Sequence, residues 1–303
     1  MKNILITGGA GFIGSRLCEK LHNKGYNITI LDNLSEQIHG KEESSLFKKI
    51  KDKCTFIKGD VRNKEDWKIA IKRQDIVVHL AAETGTGQSM YELEKYNDVN
   101  IMGTAHLLEL LANTKHSVKK MIVASSRAIY GEGKYNCEIH GYQYPLQRKE
   151  IDMEKGEFNL KCDICNSELD LVATDEKSKI HPSSIYGINK QQQEQMIMMM
   201  GDSLGIPSVS FRYQNVYGPG QSLSNPYTGI LSIFSTRILN GNNLDIYEDG
   251  LESRDFVYID DVVDATILGI EKNQANGKVF NVGSGVATTV KEVAESLKKF
   301  YNS

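Results

Sequence analysis

Asn3-Ile4-Leu5-Ile6-Thr7-Gly8-Gly9-Ala10-Gly11-Phe12-Ile13-Gly14 is the stretch whose reading decides the fold. Residues 3–7 form a short apolar run, the pattern of a strand buried on both faces. Glycines follow at 8, 11 and 14, and then a helical stretch to about Lys24. In such a strand–turn–helix the first glycine allows a tight turn. The second lets a phosphate approach the backbone, and the third lets helix and strand pack closely. The helix start offers free N–H groups and a positive dipole end to a pyrophosphate. By itself the pattern also fits a plain strand–turn–helix, so its context matters. The next strand, Asn27–Leu31, ends in Asp32. An acidic residue about 20 positions past the glycines binds both ribose hydroxyls, and it repels the 2′-phosphate of NADP. The expected cofactor is therefore NAD.

The pattern continues outward from this unit. Strands are expected at Cys54–Asp60, Asp75–Ala81, Lys119–Ala124 and Ile206–Arg212, with helices at Asn63–Arg73 and Asp98–Asn113. This alternation implies an α/β fold of the Rossmann type, a doubly wound parallel sheet. Ligands in such sheets sit at the carboxyl ends of strands. That places Gly8–Gly14, Asp32, Asp60-Val61 and Ala81-Ala82 on one rim, with the polar loop Glu83–Gln88 beside them. His79 lies inside an apolar strand and reads as a buried structural residue. Ser125 and Ser126 stand at a strand's carboxyl end, where a hydroxyl can bond a reacting hydroxyl of a bound substrate. A turn serine that only satisfies backbone groups fits Ser125 better.

Ser183-Ser184-Ile185-Tyr186-Gly187-Ile188-Asn189-Lys190 opens a further helix, with Ser183 or Ser184 as its N-cap after Pro182. Tyr186 and Lys190 are four apart and share a face. A tyrosine of pKa about 10 becomes a usable base when a neighbouring cation favours its phenolate. From about Gln221 the pattern changes. Short strands (Asp245–Tyr247, Phe256–Ile259) alternate with helices (Ile230–Leu239, Asp261–Lys272), and Asn281–Gly285 reads as a tight loop. The expected division is a dinucleotide-binding domain over 1–220 and a smaller C-terminal substrate lobe over 221–303. Arg254 either clamps a phosphate or pairs with Asp255 at the surface. Thr289 and Glu292 form a capping box for the last helix.

The 303 residues are 40% hydrophobic and 25% charged, with a net charge of −3, so bulk charge implies no nucleic-acid partner. No apolar segment nears the roughly 20 residues of a membrane span. Met1-Lys2-Asn3 leads straight into the first strand, and the five cysteines are an odd number. Both features point to a reducing cytoplasm. Residues 131–181 differ from the rest: weakly periodic, rich in Lys and Glu, and containing Cys137-x-x-His140 and Cys162-x-x-Cys165. That is ligand spacing for a structural, tetrahedral zinc. A redox Cys-x-x-Cys and coincidence are the alternatives.

Taken together, Thr7–Gly14, Asp32-Asn33-Leu34, Asp60-Val61-Arg62, His79–Ala82, Asn100–Thr104, Ser125-Ser126, Tyr186–Lys190, Arg212–Gly220 and Arg254-Asp255 occur in an order that resembles the extended short-chain dehydrogenase/reductase family. The branch is that of the NAD-dependent nucleotide-sugar epimerases and dehydratases. Val123–Ala128, the cysteine-bearing insertion and Gln214–Leu223 look most like its 4-epimerases. The resemblance implies that Tyr186 takes the proton from the sugar 4-hydroxyl. Lys190 would hold the nicotinamide ribose and depress the Tyr186 pKa, and Ser126 would share a hydrogen bond with the reacting oxygen. It implies a cofactor site of Gly8, Gly11, Phe12, Ile13, Gly14, Asp32, Asn33, Asp60, Val61, Leu80, Ala81, Ala82 and Asn100 with Tyr186 and Lys190. Thr84, Ser126, Asn215 and Arg254 would bind the nucleotide sugar, the last two through its diphosphate. A homodimer built through helices near 98–113 and 184–203 is implied as well. Dehydratases of the branch carry an Asp-Glu pair after the active-site hydroxyl residue, where this chain has Arg127 and Ala128. Family members also continue past the last helix, so the lobe ending at Ser303 is expected to be incomplete. A dehydratase, an epimerase at another carbon and a non-catalytic NAD-binding module are the competing readings.

Overall fold

The computed structural model describes residues 2–40, 44–222 and 229–302. Met1, Leu223 and Ser303, at the ends of segments named above, lie outside the described residues. Among the described residues no helix is long and apolar enough to cross a membrane.

In chain order the strands are β1 (Asn3–Thr7), β2 (Asn27–Asp32), β3 (Thr55–Lys58), β4 (Ile76–His79), β5 (Lys120–Ser126), β6 (Tyr135–Cys137), β7 (Gly141–Gln143), β8 (Asp170–Leu171), β9 (Ser208–Tyr213), β10 (Asn215–Tyr217), β11 (Ser253–Tyr258), β12 (Lys278–Val282) and β13 (Ala287–Thr289). Seven of them form one parallel sheet in the order β12-β9-β5-β4-β1-β2-β3. Successive residues of a strand face opposite sides. Ile4 and Ile6 therefore join Ile76, Val78, Ile122 and Ala124 in one core, under the helices Phe12–Asn23 and Ile259–Glu271. Leu5, Val77, Met121 and Val123 join the other, under the helices Lys64–Ala70, Gly103–Asn113 and Ile185–Ser203. Apolar side chains on both faces explain why the central strands read as unbroken hydrophobic runs.

Two expectations need correction. Asp245–Tyr247 is not a strand: it forms no ladder with any strand among the described residues, and the Tyr247 side chain is exposed. Residues 278–282, partly read as a tight loop, form the edge strand β12 beside β9. A five-residue strand led by lysine and only half-buried carries little alternation to detect. Helix Ile259–Glu271 and β12 thus return to the main sheet from beyond residue 221. What remains apart is β10 parallel to β11, β11 antiparallel to β13, and the helices Ile230–Leu239 and Val290–Tyr301 around Phe234, Val293 and Ala294. The capping box of the last helix is present, with Thr289 and Glu292 each bonding the other's backbone.

The Cys/His insertion is a small antiparallel ribbon in which β6 pairs with both β7 and β8. Beneath it runs a buried polar chain. The Arg212 guanidinium donates to both Glu194 carboxylate oxygens and to the Tyr130 hydroxyl, and Tyr130 donates to Asn281 Oδ1 at 2.9 Å. Both members of the ion pair are almost fully buried. Glu194→Leu is expected to strand a buried guanidinium and cost about 3–5 kcal/mol, measured by urea unfolding.

Candidate active site and cofactor cleft

The sheet's carboxyl ends open into one cleft of about 1260 Å³. This exceeds the roughly 300–1,000 Å³ of an ordinary small-ligand site and suits two ligands. Its floor begins at the glycine loop. Gly8 has φ +66°, and a Cβ there would lie 2.8 Å from the Ala81 nitrogen; one on Gly14 would lie 2.4 Å from Gly8 O. Only hydrogen fits at either position. Gly11 caps the helix Phe12–Asn23 without a side-chain bond. The first N–H groups of that helix therefore have no intrahelical partner and are free for an anion.

Asp32 ends β2 facing this loop. Its Oδ2 accepts from Ala10 N at 3.0 Å and its Oδ1 from Leu34 N at 2.8 Å. Burial pushes its pKa up, while these two amides oppose the shift. Each oxygen keeps a further lone pair for a hydroxyl donor. Asp60, which accepts from Arg62 and Asn33, behaves oppositely. Burial alone would raise its pKa, but those bonds hold it at about 2. Gly8, Gly11–Gly14, Asp32, Asn33, Asp60, Val61 and Leu80–Ala82 all line the cleft, and Thr84, Asn215 and Arg254 line its other end.

Asn100 does not. It is fully buried in a π-helical turn, Asn97–Met102, where its side chain accepts from Glu83 N at 2.8 Å and donates to Glu83 O. Such turns interrupt helices near sites, and here the turn aims Asn100 at the backbone of the rim loop. Its position supports that loop. His79 is buried between the hydroxyls of Thr7 and Thr104, at 2.8 and 2.9 Å, as expected of a structural residue.

Ser126, Tyr186 and Lys190 meet at the cleft. Ser184 is the N-cap that starts the Tyr186 helix, accepting from Gly187 N at 3.1 Å. Lys190 is buried and donates to Ala124 O at 3.0 Å, with its Nζ 5.9 Å from the centre of the Tyr186 ring. Burial pushes the ammonium down to about 7. Burial also pushes the Tyr186 phenol up, opposed only by a hydrogen bond with Ser126. In the protein alone burial sets the direction at Tyr186, while the Lys190 ammonium is turned to a carbonyl and its own charge is destabilised. Ser126 Oγ accepts from Ala128 N at 3.1 Å and also meets the Tyr186 hydroxyl, whereas Ser125 Oγ is buried at the cleft with no partner among the described residues. Sequence reasoning also missed His39, whose Nε2 stands 3.8 Å from Asp32 Oδ1. No local pattern marks it, because the proximity arises from the short helix Glu36–His39 folding back toward the end of β2. Arg127 lines the cleft with Arg254 nearby; burial first, and then that like charge, holds its pKa down to about 10.

The model of the NAD dependent epimerase/dehydratase family matches residues 4–148 and 166–283. The chain belongs to this family. The gap in the match, 149–165, falls inside the Cys/His insertion. The dTDP-L-rhamnose 4-epimerase of Burkholderia thailandensis is 34% identical over 100% of this chain and 82% of its own length. The solved UDP-glucose 4-epimerase of Thermotoga maritima, with UDP-glucose, is 32% identical at a TM-score of 0.78, covering 99% of this chain and 82% of that one. The UDP-glucuronic acid 4-epimerase of Bacillus cereus, solved with UDP-glucuronic acid and NAD, is 27% identical at a TM-score of 0.77, covering 99% and 83%. Family relatives also include enzymes named as a decarboxylase and a 4,6-dehydratase. The glycine cradle and the unpartnered Ser125 hydroxyl fit the NAD of the family.

The pKa of Lys190 has a consequence for stability. Its folded value of about 7 lies below the unfolded 10.5. The cost of burying the charge is therefore present in full below pH 7 and is lost as pH rises from there toward 10.5. Lys190→Met is expected to raise the Tm of the cofactor-free protein at about pH 6, with the advantage fading by about pH 10. Thermal unfolding of the two proteins across that range checks it.

Proposed function

We propose that this family member is an NAD-dependent nucleotide-sugar 4-epimerase that inverts C4 of an NDP-hexose or NDP-6-deoxyhexose through a transient 4-keto sugar. The observation that carries the reading is the meeting of Ser126, Tyr186 and Lys190 at the cleft, with Arg127 and Ala128 following the serine. An arginine stays charged and an alanine has no proton to give, so the acid and base work a dehydratase needs at C5 and C6 lacks its groups.

In this reading Tyr186 accepts the proton of the 4-hydroxyl and later returns it. Ser126 shares a hydrogen bond with the same oxygen. Lys190 holds the nicotinamide ribose, and Asp32 binds the adenosine ribose hydroxyls and disfavours a 2′-phosphate. Asp60 and Val61 border the adenine. Oxidised NAD, when bound, supplies the hydride acceptor at C4 and a positive ring that favours the phenolate. Asn215 and Arg254 grip the diphosphate, while the sugar is held loosely enough to present its other face. Arg254 carries a carboxylate partner, Glu252, which is expected to yield when phosphate enters. The reading also includes a homodimer in the cytoplasm and a structural zinc in the insertion. Exposed Met102, Ile188 and Met199 on the helices near 98–113 and 184–203 support the dimer.

Tyr186→Phe is expected to lower kcat by about 10²–10⁴-fold with bound NAD retained. Turnover nearly unaltered by that change sinks the mechanism. A panel of UDP-, dTDP-, GDP- and CDP-sugars, followed by NMR of the product, identifies the substrate. Accumulation of a 4-keto-6-deoxy sugar decides for a dehydratase instead.

A further inference from the structure

The insertion leaves the chain just after Ser126 and re-enters it just before Tyr186, and its two ends touch. A Cβ on Gly131 (φ +56°) would lie 2.5 Å from His181 O, and His181 N donates to Ile129 O at 2.9 Å. Gly131, Glu132, Ser183 and Ser184 all line the cleft. The ribbon is therefore part of the wall beside the reacting groups, and whatever orders the ribbon orders that wall.

Little in the ribbon could do so unaided. Its strands are two or three residues long, and its core is Leu160 and Leu169 with the cysteines Cys137 and Cys162. Two buried leucines contribute only about 3–6 kcal/mol, small against the entropy of ordering such a segment at about 1–2 kcal/mol per residue.

The cysteines supply what is missing. Cys137 Sγ lies 3.6 Å from His140 Nδ1 and 3.6 Å from Cys165 Sγ, and Cys162 Sγ lies 3.6 Å from His140 Nδ1. All four ligand atoms fall within 4.8 Å of one another. Zinc bonded to sulfur at about 2.3 Å and to nitrogen at about 2.0–2.1 Å makes a tetrahedron with edges of about 3.5–3.8 Å. The backbone is shaped for the same purpose twice over. The N–H groups of Ile139 and His140 point at the Cys137 sulfur, and those of Ile164 and Cys165 at the Cys162 sulfur. After each pair the chain turns through a left-handed residue, Gly141 at φ +69° and Asn166 at φ +59°. Two such knuckles, each aiming amides at a sulfur, form an outer shell for thiolate ligands. A redox Cys-x-x-Cys explains neither the duplication nor the histidine.

We infer that one Zn²⁺ held by Cys137, His140, Cys162 and Cys165 fixes the ribbon and, through the contact of its two ends, orders the cleft wall between Ser126 and Tyr186. This rests on the zinc part of the functional reading and not on the sugar chemistry. The site is closed, with four protein ligands, so the metal is a positioning element and takes no part in the reaction.

The test uses the full chain, purified with zinc and without chelator. Metal analysis is expected to give about one zinc per chain, and cobalt exchange the intense visible bands of tetrahedral thiolate coordination. Cys165→Ser, at the exposed ligand, is expected to cost at least about tenfold in metal affinity. In the metal-free variant, amide hydrogen exchange should speed up at least about tenfold at 127–137 and 181–186, with 3–14 and 27–32 unchanged. Wild-type protein that folds with no metal overturns the site. Exchange at 127–137 and 181–186 that ignores metal removal overturns the coupling to the wall. Neither readout involves turnover, so failure of the 4-epimerase reading leaves both unmoved.

Discussion

Gly8 and Ala81 come so close that a single added methyl group would collide with backbone. That approach joins the carboxyl ends of β1 and β4, the neighbours at the middle of the sheet. Everything at the cleft depends on it. It sets the glycine loop low enough for the start of helix Phe12–Asn23 to face the rim. It also brings Asp32, from the strand on the other side, to within a hydrogen bond of Ala10. Parallel strands with apolar side chains on both faces leave no room for polar groups except at their ends. Chemistry is therefore confined to one rim by the same packing that stabilises the sheet.

The central groups of that rim are not at rest. Lys190 is a buried ammonium whose bonded acceptor is a carbonyl, Tyr186 a phenol that burial makes less acidic, and Ser125 a hydroxyl with no partner. Arg127 and Arg254 stand close enough for like charge to matter. The buried ammonium, the unpartnered hydroxyl and the neighbouring arginines each cost free energy in the protein alone, and a bound anion, hydroxyl or cofactor would relieve it. Away from the cleft, the Arg212–Glu194–Tyr130–Asn281 chain pairs its charges. The contrast marks the cleft as a place prepared for a ligand.

The insertion shows a different way of making structure. The main sheet is held by two large apolar cores, but the ribbon has only a few apolar side chains and two cysteine knuckles. Burial there is too small to order the segment, and in the proposed reading a zinc held by the two knuckles supplies that order. Attaching such a segment between Ser126 and Tyr186 adds to the cleft without altering the sheet beneath it.

Much of this was readable along the chain because it rests on local periodicity. The apolar runs, the glycines at 8, 11 and 14, the acid at 32, the i, i+4 pair of Tyr186 and Lys190 and the two metal-ligand spacings are all short-range patterns. They determine which elements form and what chemistry each can carry. The half-buried edge strand β12, the false strand at 245–247 and the proximity of His39 to Asp32 left no such pattern, since each depends on what lies next to it in space. The same holds for the energetics of the site. Sequence places a lysine one turn from a tyrosine. Only the tertiary structure decides that this lysine is buried and donates to Ala124 O. It likewise decides which of two adjacent serines keeps a free hydroxyl. The physical reason is that solvation and hydrogen-bond partners come from distant segments, which periodicity does not encode.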